Sequence, residues 1–475
     1  MAFNSVQFFI FWFILYGVYL TVFQQIKVRS LILLLGNITF YTLLSGWSVI
    51  LLFLASFFDF QIGKRISQTE DESQKKVWMR LSVVLNVALI LGFRHVTDWL
   101  GLNQMNSEWH FPIPILFIGV SFYAFRSMSY VFDVYYENIE NAEHNLIHYW
   151  TYASFFPIML SGPILTASDF LDKLKSNNWG ISSRDISLAS FYITLGVVKK
   201  FILGNYIAMN FVDRVFESYS FFTGLEVFLA SILQTFSLYL DFSGYTDIAL
   251  GLGLLLGFNI PDNFNFPFLA QNVTEYWKRW HISLSNWFNA YLYFPLSYQL
   301  RQLKKFGTSL SVFVVFLISG FWHGTSPNYW VWGIMHALCM VWDIYSSQWR
   351  VQWRKTIPMA IYKPISIFIT FGFLSYSGVY FKARNIEAAD GMIRKMLDGI
   401  DWSLFSDWFD LYENVAYMGI GVIVLHFSLS SVYSKIKRWV ENQTWLISAT
   451  VMIITIFIAY QFNRLGSLPF YYLQF

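Results

Sequence analysis

Long apolar runs, broken by few charges, cover most of this 475-residue chain. They lie near 1–23, 30–45, 46–62, 78–93, 111–133, 147–163, 187–207, 222–240 and 246–260, then near 307–322, 328–345, 359–378, 415–432 and 442–461. A helix needs about 20 predominantly apolar residues to cross a bilayer. Charged residues make up 13% of the chain and hydrophobic residues 56%, against about 25% and about 45–50% for an ordinary soluble domain. A soluble multi-domain enzyme, a coiled coil and a disordered scaffold are excluded. The expected class is an all-α polytopic membrane protein. On the length rule it has roughly eleven spans plus re-entrant or interfacial helices.

The first run has no basic segment before it and no small-residue cleavage site, so it reads as a membrane helix and not as a cleaved signal peptide. Lys27, Arg29, Lys64, Arg65, Lys75, Lys76 and Arg80 fall in loops that two spans separate. The positive-inside rule puts those loops in the cytoplasm and the N-terminus outside. No Pro- or Gly/Ser-rich linker divides the sequence. One membrane domain over 1–475 is expected, with an extramembrane or amphipathic segment at 382–414. A net charge of +3 gives no reason to propose nucleic acid, and a single cysteine, Cys339, cannot form an intrachain disulfide.

Broken backbone at membrane depth survives only where it is buried in protein or lines a wet cavity. The interrupted stretches 155–166 and 261–297 are therefore candidate walls of an internal site. Ionisable groups inside apolar runs are costly and point to function by default. One such group is His323 in Phe321-Trp322-His323-Gly324, with His336 thirteen residues on. Burial keeps an imidazole neutral, and a neutral imidazole can take a proton from a hydroxyl. It can equally be a hydrogen-bonded core residue between helices. The second stretch is Glu275-Tyr-Trp277-Lys278-Arg279-Trp280-His281. It reads either as an interfacial aromatic belt with snorkelling cations or as a cationic rim for a phosphate-bearing donor. The third is Asp241-Phe-Ser-Gly-Tyr245-Thr-Asp247, between two apolar runs. It could bind a cation, proton or substrate, or satisfy backbone groups at a helix break. Gly253 and Gly257 have GxxxG spacing. His144 and His148 have i, i+4 spacing but sit in an acidic, loop-like segment, so no metal site is expected.

These pieces together resemble the membrane-bound O-acyltransferase superfamily, and in particular its bacterial branch of the alginate O-acetyltransferase type. The resemblance runs through Pro114–Tyr123, Tyr130-Val-Phe-Asp133-Val-Tyr135, Phe156-Pro157, Ser161-Gly162-Pro163, the 241–247 and 275–285 stretches, Asn263-Phe-Asn-Phe-Pro267-Phe, Trp322-His323-Gly324, Trp332-Gly333 with His336, and the ending 470–475. The motif core spans about 111–345. The D-alanyl-transferring branch shares the Trp-His and Phe-Trp-His-Gly pieces.

The resemblance implies helices around a central tunnel that crosses a bacterial cytoplasmic membrane. It implies catalytic roles for His323 and for His281, whose position holds Asn, Asp or His across the superfamily. The chemistry of the same stretches adds donor-binding or supporting roles for Trp322, Trp280, Lys278, Arg279, His336, Asp241, Tyr245 and Asp247. The expected co-substrate is an acyl thioester, acetyl-CoA or a phosphopantetheinyl carrier, with no permanently bound cofactor. The expected partners are the lipid bilayer, a polysaccharide acceptor, and an SGNH-like periplasmic transferase or a carrier protein. Two departures stand out: Thr166 replaces an Arg after the Gly-Pro pair, and Asn289-Ala290 replaces an Arg-Asp pair. A transporter and a non-catalytic scaffold are the alternatives of other classes.

Overall fold

The structure, a computed structural model, describes residues 3, 5–46, 48–99, 119–160, 162–177 and 179–463. Residues 114–118 of the first motif, Ser161 and the ending 470–475 lie outside them. Among the described residues every regular element is helical. Among the described residues six helices are long and apolar enough to cross a membrane: Ile26–Ser45, Ser183–Glu217, Gly224–Leu255, Arg301–His323, Met359–Lys382 and Trp445–Phe462. A seventh is the pair Glu413–Leu429 and Tyr433–Glu441 taken as one span bent by 83°. Val6–Val22 is a shorter apolar helix.

The chain forms two compact units, Met1–Ala189 with Ala249–Pro261, and Ser190–Ile248 with Asp262–Phe475. In the first, several polar groups in apolar helices meet hydrogen-bonding partners, as a low dielectric requires. Arg29 is fully buried. It donates to the carbonyls of Phe23 (3.0 Å), Leu174 and Ser176 (3.0 Å), and stacks 3.7 Å from the Trp179 ring. It is a staple between segments, not a loop cation. Asp59 accepts from Ser82 (2.6 Å) and Asn86 (2.8 Å). Thr166, the first departure from the family pattern, caps helix Ala167–Lys175. Its hydroxyl accepts from the Asp169 N–H and donates to the Asp169 carboxylate at 2.8 Å.

Helix Gly224–Leu255 and its end correct two readings. The 241–247 stretch does not interrupt anything: one helix runs through it, Gly224–Leu255. Its carboxylates face cations instead. Lys199 meets Asp247 at 2.7 Å, and Lys200 meets Asp241. Both lysines lie in Val198–Gly204, a π-helical turn of the preceding long helix. Gly196 and Gly244 let the two helices touch there, since a Cβ at Gly196 would lie 2.4 Å from the Gly244 carbonyl. Gly253 and Gly257 are not a helix-contact motif either. Gly257 follows the helix end in left-handed conformation (φ +82°), and the face of Gly253 is filled by Ile260.

Removing one member of a buried ion pair leaves the other uncompensated and costs about 3–5 kcal/mol. Lys199→Met is therefore expected to lower the melting temperature sharply in detergent. Adding Asp247→Leu is expected to restore most of it. Strictly additive losses would mean the pair is not coupled.

Candidate active site

The segment around His281 is built by its own polar residues. Asn263 reaches across with both backbone and side chain: its carbonyl accepts from Ile282 N–H (3.0 Å) and its Oδ1 from Ser283 N–H and hydroxyl (3.0 and 2.9 Å). Asn265 N–H donates to the Arg279 carbonyl (2.9 Å). Asn272 caps helix Val273–Trp277. Glu275 reaches back past the cap to accept from Gln271 N–H (2.9 Å), and its other oxygen takes Arg279 through two contacts (3.0 and 2.8 Å). Asp343, from helix Pro327–Thr356, accepts from the Thr274 N–H and hydroxyl (2.9 and 2.8 Å) and pairs with Arg350 at 3.0 Å. The motif's acid and arginine thus shape the backbone.

That backbone places His281 in left-handed conformation (φ 44°, ψ 54°) at the start of helix Ile282–Phe288. For an L-residue this costs about 1–2 kcal/mol, and Asn, Asp and His tolerate it best. Those are the residue types that the resemblance allows here. The ring is 1% exposed and packs edge-on against Phe242 at 4.7 Å.

His323 ends helix Lys304–His323, and a three-residue turn leads into the antiparallel helix Pro327–Thr356. Gly324 cannot carry a side chain, because a Cβ would lie 2.1 Å from the Tyr329 ring. The two helices touch through Gly320 and Gly333. A Cβ on Gly320 would lie 2.7 Å from the Tyr329 carbonyl, and one on Gly333 would lie 2.7 Å from that of Phe316. Each glycine precedes a site histidine by three residues, so the contact brings His323 and His336 to one face. His323 is buried between Trp322, Trp332 and Phe381, at ring distances of 4.6, 5.0 and 4.9 Å.

His281, His323 and His336 line one cavity of about 50 Å³. Its other walls include Trp277, Trp280, Trp332, Phe381, Gln234, Thr235 and Ser377, and no Asp, Glu, Lys or Arg is among the lining residues. His336 has its hydrogen bonds assigned by its neighbours. The Trp277 indole can only donate, so Nδ1 accepts from it (3.3 Å). The Nε2 proton then points to the Ser377 hydroxyl (3.2 Å), which donates to the Leu374 carbonyl.

The remaining expected residues lie elsewhere. Trp280 lines the cavity and Trp322 stands behind His323. Lys278 is exposed, and Arg279 is held by Glu275. Asp241, Tyr245 and Asp247 are not among the lining residues. Asn289 and Ala290, the second departure, are exposed in a π-helical turn. Sequence reasoning passed over Lys199, Lys200, Asp343 and Gln234. Each is a polar residue in an apolar run, so the rule that singled out Asp241 would have found them.

The fold defines a polytopic helical membrane protein with histidines converging on an aromatic-lined cavity. A profile of MBOAT, the membrane-bound O-acyltransferase family, matches residues 30–381. The chain is 32% identical to the peptidoglycan O-acetyltransferase of Helicobacter pylori, over 77% of this chain and 73% of that one. It is 31% identical to the probable alginate O-acetylase AlgI of Pseudomonas aeruginosa, over 80% and 71%. It is 28% identical to the teichoic acid D-alanyltransferase of Bacillus subtilis, over 56% and 69%. The chain belongs to the membrane-bound O-acyltransferase family: it is a multi-pass membrane acyltransferase that uses an acyl donor as co-substrate.

Proposed function

We propose that the protein transfers an acetyl group from a thioester on the cytoplasmic side to a hydroxyl of an extracytoplasmic polysaccharide, or of a partner that hands it on, in a bacterial cytoplasmic membrane. The convergence of His281 and His323 on one uncharged cavity carries this reading. His323 takes the proton of the acceptor hydroxyl. The oxygen attacks the thioester carbonyl, the C–S bond breaks, and the proton passes from the imidazolium to the departing thiolate. His281 orients the acyl carbonyl. His336 holds its proton toward Ser377 and braces Trp277, a positioning role.

Two features favour acetyl over D-alanyl. An aminoacyl group would bring an ammonium, and the lining residues offer it no carboxylate. Burying an unpaired charge costs several kcal/mol. The O-acetylating relatives point the same way. Direction follows from the basic ends of one antiparallel helix pair, Arg301, Lys304, Lys305, Arg350, Arg354 and Lys355, taken as cytoplasmic. The opposite basic cluster is partly engaged within the protein: Lys382 pairs with Asp213, and Lys395 donates to the carbonyls of Tyr219 and Ser220, while Arg384 and Arg394 are exposed.

The test is mild-alkali release from the envelope of cells that do or do not express the protein. Acetate should rise with expression, and D-alanine should not. A rise in D-alanine alone would overturn the acetyl assignment.

His281 supplies a second check. His281→Asn keeps a residue that tolerates the left-handed backbone and keeps a donor. It is expected to melt near the wild type and to lose about tenfold in rate or less. His281→Ala removes the donor, a loss of about 10²–10³-fold, and adds backbone strain. Equal activity of both variants with the wild type would remove His281 from the site.

A further inference from the structure

We propose that Gln234 is a catalytic residue: its side-chain amide donates to the acyl carbonyl oxygen and to the oxyanion that forms on it. The inference rests on the acyl-transfer reading above. Gln234 lies on helix Gly224–Leu255, where its polar neighbours are the smaller Ser231, Thr235 and Ser237. It is 3% exposed and lines the same cavity as His281 and His323. Its amide nitrogen has no hydrogen-bond partner among the described residues. A buried amide left unsatisfied costs about 1–3 kcal/mol, so the native state keeps this one at an expense that a partner in the cavity would offset.

Four other polar groups on the wall are already committed. The Trp277 N–H goes to His336, the His336 N–H points to Ser377, the Ser377 hydroxyl goes to Leu374, and the Thr235 hydroxyl goes to Ser231 at 3.1 Å. Gln234 has two N–H bonds to give and belongs to the wall of the space where the acyl group must sit. Attack of the hydroxyl oxygen on the thioester carbon moves one electron pair onto the carbonyl oxygen. That charge would develop in a chamber whose lining carries no Lys or Arg. A fixed N–H aimed there stabilises the transition state without having to reorganise.

The test compares Gln234→Met with the wild type and with His323→Ala. Met keeps the volume and removes both donors. The readouts are the rate of envelope O-acetylation in cells at matched protein level, its pH profile, and the melting temperature in detergent. The expected result for Gln234→Met is a rate about 10²–10³-fold lower, a pH profile of unchanged shape, and a melting temperature unchanged or raised. A role in packing alone predicts the opposite: a rate within threefold of the wild type, which would overturn the proposal. A rate loss accompanied by a lowered melting temperature would also overturn it. If His323→Ala as well as Gln234→Met keeps the wild-type rate, the acyl-transfer site itself is misplaced. If only Gln234→Met does, the role of Gln234 alone falls.

Discussion

His323→Ala is expected to lower acyl transfer by about 10³-fold, within the 10²–10⁴-fold range that a positioned base contributes. That corresponds to about 4 kcal/mol of transition-state stabilisation. The side chain is buried against Trp322, Trp332 and Phe381, so truncation also leaves a void. His323→Gln separates the two effects. It fills most of the space and can hydrogen-bond, but it cannot accept and return a proton at neutral pH. Both variants should lose transfer to a similar extent, and His323→Gln should retain a melting temperature nearer that of the wild type. Rates measured at matched protein level decide the matter. Either variant holding more than a tenth of the wild-type rate would show that His323 is not the base.

The second large effect is expected at Gly333. Without a hydrophobic driving force between spans, helix association depends on close packing, and small residues at the contact allow it. At Gly333 the obstacle to any side chain is the Phe316 carbonyl, which is helix backbone and cannot swing aside. Gly333→Ala should cost about 1–3 kcal/mol, as overpacking does, and Gly333→Leu should largely prevent accumulation of folded protein. The smaller substitution is the informative one. Pushing the helices apart moves His336 relative to His323, and misplacement of about 1 Å costs around 10²-fold in rate. Gly333→Ala should therefore lose far more activity than its change in melting temperature explains. Gly372, with nothing within 4 Å of a Cβ built on it, is the control. Gly372→Ala should alter neither.

Much of the site was legible in the residues. His323 and His281 stand in motifs whose order and spacing are specific, and the interrupted stretch 261–297 does hold short helices and loops that bring His281 to the cavity. Lys278 and Arg279 read differently once folded. Two cations between tryptophans suggest a phosphate rim, but Glu275 lies one helical turn before Arg279 and takes its charge. That i, i+4 pairing is visible in the sequence. His336 could not be resolved from sequence at all. Its tautomer depends on Trp277 and Ser377, 59 and 41 residues away.

The apolar runs, by themselves, determined that this chain lives in a membrane as helices, because lipid leaves the backbone no other way to satisfy its hydrogen bonds. They also determined that any charge within them must be answered. What they could not determine is by what. Asp241 and Asp247 looked like a break in a helix. The tertiary structure shows an unbroken helix whose acids meet Lys200 and Lys199, 41 and 48 residues away in the chain. The same holds for the cavity. Composition marks Gln234 only as a polar residue out of place, and packing alone puts it beside two histidines. Local sequence fixes which groups need partners, through the cost of burying them. Which partner arrives depends on how separate helices cross, and that is a property of the fold.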